Sequence, residues 1–343
     1  MEQEKHVQAV LDWLAGLEVG EGLAHERMTL FPLRLAAGGG SPSLHYRTLA
    51  EAIAEGWVEV KERPSASVPE LVLGNRGSEM VLVLDGEEVV GGKQNRIANA
   101  SFLVGAGAEV LLPVSCVEHG RWHDVSATFA AGEASPFSLK REKQEQVRAN
   151  LRATGRPQAD QGAIWDHVAR REAEFGTRST TGAMHDVFKT QSQSLTDYQR
   201  AFPYPEGAVG LIVALGGRMA GGDLFDQPRT AKALWGKLVR SYALDALSGE
   251  AGEPVARERA VRFLGRFRGA RGEVYPSLAL GEDVRLEGDK AVGAALVYRG
   301  TPVHVSLFRI HGNAAREGGR MASASARRAM RRVPSAYQRD RWQ

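Results

Sequence analysis

The 343-residue chain is 43% hydrophobic and 25% charged, an ordinary globular composition with room for a sizeable core. No run of about 18 apolar residues could span a bilayer, the acidic, amphipathic start MEQEKHVQAVLDWLAGLE is unlike a secretory leader, and the lone Cys116 excludes a disulfide framework or a multi-cysteine metal site, so a cytoplasmic protein with no membrane partner is expected. The net charge of +3 is uneven: residues 316–343 hold eight arginines against Glu317 and Asp340, leaving the remainder near −3.

The first predicted helix covers Lys5 to Leu17, where Val7, Val10, Leu11 and Leu14 recur at helical spacing. Met28 to Leu35 and Leu71 to Leu73 read as strands. Between them, Thr48 to Glu62 reads as a helix ending near Gly56 and then a strand through Val58 and Val60, with Thr48 and Glu51 at capping-box spacing. Strands dominate from Glu79 to about Phe129. After Ser135 and Pro136 the period turns helical, with Lys140 to Leu151 strongly charged, Ile164 to Phe175 amphipathic and Gly182 to Tyr198 a further helical stretch.

Residues 81–96 and 211–226 align at a constant offset of 130. Each has a strand, a glycine (Gly86 or Gly216) and a Gly-Gly pair at 91–92 or 221–222 suited to a turn or a close approach, which predicts a duplicated β unit. The second copy leads into a helix outlined by Leu234, Leu238, Tyr242 and Leu247, with Thr230 as its N-cap. Ala291 to Tyr298, Arg299-Gly300 and Thr301 to Ile310 read as a β hairpin. The expected fold is α+β: a β-rich core with two pseudo-repeated strand units, a helical middle segment and a flexible basic C-terminal tail. One α+β domain is expected over 1–312, β-rich in 25–135, helical in 137–200 and a second β/α unit in 205–310, followed by a disordered Arg-rich tail over 313–343.

Reactive and hydrogen-bonding side chains concentrate between Val81 and Trp122. Glu87 and Glu88 follow the Asp85-Gly86 turn, where a two-residue hairpin loop would send them to opposite faces; either could act as acid or base, or pair with Lys93 and Arg96. Lys93, Gln94, Asn95 and Arg96 offer cationic and amide donors suited to phosphate, ribose or purine, without a Walker loop or a Rossmann fingerprint. Asn99 and Trp122 join this ligand-binding set. Cys116, beside Ser115, Glu118 and His119, is either a nucleophilic thiolate or a buried strand-end residue. His119 and His123 have ligand chemistry, but Gly120 and the preceding strand break the spacing of a helical metal motif, so no metal and no cofactor are assigned. Farther on, Asp223, Asp226, Trp235 and the Glu282-Asp283-Arg285 run could complete the pocket. Asp226 could equally cap a helix, Trp235 fits a core position, and His304 stands on a strand between Val303 and Val305 as either a satisfied or a ligand-binding histidine.

The runs DGEEVVGGKQNRIANAS, PVSCVEHGRW, GGDLFDQP…LWGKLVRSYALDAL and VHVSLF resemble a prokaryotic family named for its association with ADP-ribosylglycohydrolase and rhodanese-phosphatase proteins, over about residues 5–310. The resemblance implies a context of ADP-ribose or NAD-derived nucleotides rather than a reaction. The resulting expectation is a pocket for an ADP-ribose-like nucleotide ligand that hydrolyses or transfers part of it. Glu87, Glu88, Cys116 and Glu118 would be its catalytic set, and Lys93, Gln94, Asn95, Arg96, Asn99, Trp122, Asp226, Arg285 and His304 its ligand contacts. The alternative is a non-enzymatic protein that binds nucleic acid through its Arg-rich tail.

Overall fold

The computed structural model describes residues 2–36, 44–63 and 69–310. In chain order these form α1 (Glu2–Ala15), β1 (Leu17–Val19), β2 (Leu23–His25), β3 (Met28–Leu35), β4 (Tyr46–Thr48), α2 (Leu49–Ala54), β5 (Val58–Glu62) and β6 (Glu70–Asn75). Next come β7 (Met80–Val83), β8 (Glu87–Gly91), β9 (Arg96–Ala98), β10 (Phe102–Val104), β11 (Glu109–Cys116) and β12 (Phe129–Ala134). Four helices follow: α3 (Phe137–Thr154), α4 (Gln161–Phe175), α5 (Met184–Thr190) and α6 (Ser192–Ala201). Last are β13 (Gly210–Leu215), β14 (Arg218–Phe225), α7 (Pro228–Ser248), α8 (Arg257–Gly265), β15 (Arg271–Pro276), β16 (Glu282–Gly288), β17 (Ala291–Tyr298) and β18 (Thr301–Arg309). The α+β class is as expected. Among the described residues no helix is long and apolar enough to cross a membrane.

The strands form three sheets. The largest runs β1-β3-β13-β14-β18-β17-β16-β15, with β2 also on β3; a second runs β10-β7-β4; a third runs β12-β8-β9-β11-β6-β5. In the large sheet the period-two alternation is used on both faces, because both are covered by helices. Leu211 and Val213 of β13 join the core formed with Leu234, Leu238 and Tyr242 of α7. Ile212 and Ala214 join the opposite core with Val10 and Leu14 of α1 and Phe263 of α8. A third core, under α2, gathers Val60, Leu71, Leu73, Val81, Val83 and Leu112.

Several local expectations hold for the reasons that suggested them. The Thr48 hydroxyl accepts the Glu51 amide while the Glu51 carboxylate accepts the Thr48 amide, a complete capping box. The final hairpin turns through Arg299 and Gly300, both at positive φ, as a tight two-residue connection requires.

Other expectations are corrected. The β13–β14 pair is an antiparallel hairpin, but β7 and β8, its supposed counterparts, lie in different sheets, so the duplicated unit and the Asp85-Gly86 hairpin are not formed. The Met28 to Leu35 strand pairs with β13, which ties the expected first β-rich unit into the sheet of the second. Gln227, not Thr230, occupies the N-cap of α7, with Pro228 at the first turn; Thr230 sits inside the helix and donates to the Tyr46 hydroxyl at 2.8 Å. The Gly182 to Tyr198 stretch is two helices meeting at Gln191. The Arg-rich segment lies outside the described residues.

Helix α3 departs furthest from its sequence pattern. Its buried stripe reads Phe137, Lys140, Lys143, Gln144, Val147 and Leu151, a helical spacing that turns two lysines and a glutamine inward.

Candidate functional site

The inward lysines of α3 meet the turn after β7 and the strands β14, β16 and β18. Lys140 Nζ donates to both oxygens of Asp223 at 2.9 and 2.8 Å, and the Tyr242 hydroxyl donates to the same carboxylate at 2.9 Å. Lys143 pairs with Asp85 and donates to the Ala98 carbonyl at 2.7 Å. The other Asp85 oxygen accepts from Gln144, whose carbonyl accepts from Arg285, which also donates to Asp283. Six charged side chains are thus buried in three oppositely charged pairs, the condition under which charge is tolerated away from water. Gly86, at φ +75°, permits the turn: a Cβ there would fall onto the Ser135 hydroxyl.

His304 closes the network. Its Nε2 lies 3.3 Å from Asp223 Oδ1, and its Nδ1 lies 2.8 Å from the Ser101 hydroxyl, which itself accepts the Asp85 amide at 2.9 Å. A carboxylate can only accept, so Nε2 carries a proton; in the neutral ring Nδ1 then accepts from Ser101. The ring is stacked on Phe225, with centroids 5.1 Å apart, which fixes its plane. Ser101, His304 and Asp223 therefore stand in nucleophile, base and orienting-carboxylate relation. Burial alone would raise the Asp223 carboxyl, but Lys140 and His304 together hold it well below the usual carboxylate range.

Ser101 and His304 border a polar cavity lined also by Asp85, Gln144, Asp283 and Arg285. It leaves about 10 Å³ for the centre of a water molecule, room for roughly one water. Arg285 Nε and Asp283 Oδ1 are buried there without partners among the described residues. Ser101 is half-buried, at the rim. Three of the four runs quoted for the family resemblance supply part of this surrounding: the first holds Asp85 and Ser101, the third Asp223, Phe225 and Tyr242, and the last His304. The sequence pattern that defines the ARG and Rhodanese-Phosphatase-superfamily-associated Protein domain, ARPP-1, matches residues 16–308. The chain belongs to the ARPP-1 family. No curated protein and no solved structure matches it.

Of the expected site residues, the ARPP-1 fold brings Arg285 and His304 to one cavity and distributes the rest. Glu87 and Glu88 do diverge: Glu87 accepts Lys237 Nζ at 2.7 Å and the Leu84 amide at 3.0 Å, whereas Glu88 meets His185 Nδ1 at 3.1 Å. Both carboxylates are buried and Glu88 Oε1 has no partner among the described residues. The hydrogen bond it donates to Glu88 raises the half-exposed His185 imidazole above its ordinary value.

Glu118 is clamped by Arg121, which also donates to Asn95 and to the carbonyls of Gly91 and Gly92. Burial raises the Glu118 carboxyl, yet Arg121, the Thr181 hydroxyl and the Asn95 amide together bring it below the usual range. With all its lone pairs engaged, this cluster fastens the 91–95 loop to the 118–121 loop.

Cys116 is fully buried, its backbone exchanging hydrogen bonds with the Gln161 side chain. Burial pushes its thiol up to about 11 despite neighbouring Arg96, the opposite of nucleophile activation. Arg96 donates to Gln94, and both are buried in the same layer. Lys93 is half-buried, Asn99 accepts from Ser115 at 2.8 Å, and Trp122 is 57% exposed, away from the cavity. Asp226 accepts from Tyr46, and burial pushes its carboxyl up to about 7. Trp235 is a core residue whose Nε1 donates to the Phe202 carbonyl at 2.9 Å.

Sequence reasoning did not single out Ser101, Lys140, Lys143, Gln144 or Asp85 as site residues. A signal existed for α3: Lys140, Lys143 and Gln144 continue the stripe of Phe137 and Val147 at spacings of three and four.

Proposed function

We propose that this protein binds an ADP-ribose-like or NAD-derived nucleotide and hydrolyses or transfers part of it at the Ser101–His304–Asp223 relay. The family's association, through its name, with ADP-ribosylglycohydrolase supports the ligand class. The observation that carries the chemistry is the unbroken hydrogen-bonded chain from Asp223 through His304 to a half-buried serine on the cavity that Arg285 also lines.

The three cations and three carboxylates around the cavity balance, so it does not draw in phosphate. The phosphates stay outside, and the electrophilic centre of the transferable group meets Ser101 at the rim. Ser101 Oγ bonds to that centre as its proton passes to His304 Nδ1, and Asp223 holds the resulting imidazolium through Nε2. The imidazolium returns the proton to the departing group. Water, deprotonated by the same nitrogen, then releases the Ser101-bound half; another acceptor alcohol in its place makes the reaction a transfer. In this reading Glu87 and Glu88 hold the turn that carries Asp85, and Gln94, Asn95, Arg96 and Glu118 hold the loops beneath it.

The test combines binding, turnover and labelling. ADP-ribose or NAD at about 100 times its Kd should stabilise the protein by about 2.7 kcal/mol in a thermal shift. Ser101→Ala and His304→Ala should keep that shift but lose product formation followed by chromatography, and a fluorophosphonate should label wild type at Ser101 only. Absence of binding by both nucleotides, together with no Ser101 adduct, would sink the proposal.

A further inference from the structure

Outside the lining of this cavity, the face built by α8 and the edge strand β15 concentrates arginine. Residues 251–271 hold six arginines against Glu253 and Glu258, a net +4 in a body whose overall charge is negative. Arg259, Arg262 and Arg266 recur at i, i+3 and i+7, on one side of α8 and its cap over about 10 Å. Arg262, Arg268 and Arg271 are exposed and border one shallow groove of about 620 Å³. None of these three has an ion-pair partner among the described residues. The carboxylates that share the groove are already engaged: Asp289 by Arg266 at 3.0 Å, and Glu287 by Arg148 and Arg152.

Crowding of like charge continues onto the neighbouring strands. Arg309 at the end of β18 has its basicity reduced by burial and by the guanidiniums of Arg266, Arg259 and Arg218. A protein that gathers unpaired cations bears a repulsion that only an external anion relieves. The anion must be extended: the groove is too open to enclose a small ligand, and its cations are spread along a helix and a strand rather than focused on one point. Guanidinium, with its planar fork of donors, suits phosphate oxygens. The chain leaves the described residues one position after Arg309, and the segment 316–343 adds a further net +6 by sequence.

We infer that the α8–β15 face is a binding surface for the phosphate backbone of double-stranded nucleic acid, with Arg262, Arg268 and Arg271 as its contacts. Binding is independent of base sequence, because nothing in the groove is shaped to read base edges. Duplex DNA and duplex RNA present the same phosphates, and both are used as probes.

Fluorescence anisotropy of the intact protein with short labelled DNA and RNA duplexes, between about 50 and 200 mM salt, tests this. The expected result is affinity that falls steeply with salt. The combined Arg262→Gln, Arg268→Gln, Arg271→Gln variant should bind at least tenfold more weakly at the lowest salt, with a log–log slope shallower by about 2.7, from about 0.9 per lost contact. Lysine at the same three positions should restore most of both. A chain ending at Gly312 should retain the effect of the triple substitution. No duplex binding by the intact protein, or binding that the triple variant leaves intact, would overturn the assignment; the latter would place all affinity in residues 313–343.

Discussion

Replacing Asp223 by Asn is the sharpest probe of the buried network. Asp223 is 1% exposed and Lys140 is 0% exposed, with two charge-assisted hydrogen bonds between them. The substitution keeps the shape and most acceptor geometry but leaves the Lys140 ammonium uncompensated, which costs about 3–5 kcal/mol for a buried pair broken on one side. That is a large part of a typical stability of about 5–15 kcal/mol. Asp223→Leu combined with Lys140→Met strands no charge, but the Tyr242 hydroxyl and His304 Nε2 lose their acceptor at about 1–3 kcal/mol each, so its loss should fall in the same range as that of Asp223→Asn. Urea unfolding monitored by tryptophan fluorescence gives both numbers. Acid supplies a second readout with a definite sign. The Asp223 carboxyl is depressed in the folded state, so its contribution is fully present above the unfolded value of about 3.9 and is lost as pH falls through the lower folded value. Wild type should therefore lose stability more steeply than Asp223→Asn below about pH 4. A loss under about 1 kcal/mol for Asp223→Asn, with an unchanged acid limb, would refute the charge-pair reasoning.

Asp226 predicts the opposite pH trend. Burial raises its carboxyl to about 7, so its contribution is present below about pH 4 and lost as pH rises through about 7; thermal melts of Asp226→Asn should lack that decline, and parallel profiles would count against it. Cys116 should resist iodoacetamide in the native protein near neutral pH and react fully in urea, since it is buried with its thiol at about 11; rapid native alkylation would show that the strand end opens. Gly221→Ala would drive a Cβ into the Leu307 carbonyl and the Phe137 ring, so a melting temperature lowered by several degrees is expected, and an unchanged one would contradict the β14–β18 register.

Where one local rule dominates, the sequence spoke clearly. The Thr48 box, the Arg299-Gly300 hairpin and the amphipathic α7 follow from caps, turn angles and periodicity that act over a few residues. Sheet membership did not follow, because pairing β3 with β13 joins residues nearly 180 positions apart and no local pattern encodes it. The dense polar run from 81 to 122 reads in the sequence as one pocket, but its density arises from three separate buried clusters. Glu118 and Arg121 satisfy each other; Gln94 and Arg96 lie with Cys116; of the polar side chains in this run, Asp85 and Ser101 reach the cavity. Lys140 and Lys143 were hidden because a lysine in a charged helix ordinarily faces water, and only the carboxylates of Asp85 and Asp223, from remote strands, make its burial tolerable.

Stability alone is a poor account of that burial. Three ion pairs taken out of water gain little over apolar groups of equal volume, because desolvation cancels most of their attraction. What they provide is position. Lys140 and Tyr242 fix the Asp223 carboxylate, Asp223 and Phe225 fix the His304 ring, and Lys143 with Gln144 fixes Asp85, whose amide holds Ser101. Each step removes a rotamer freedom from the next group along. The chain of constraint ends at a serine hydroxyl on the cavity rim and a histidine nitrogen beside it, the fixed geometry that the proposed reaction requires.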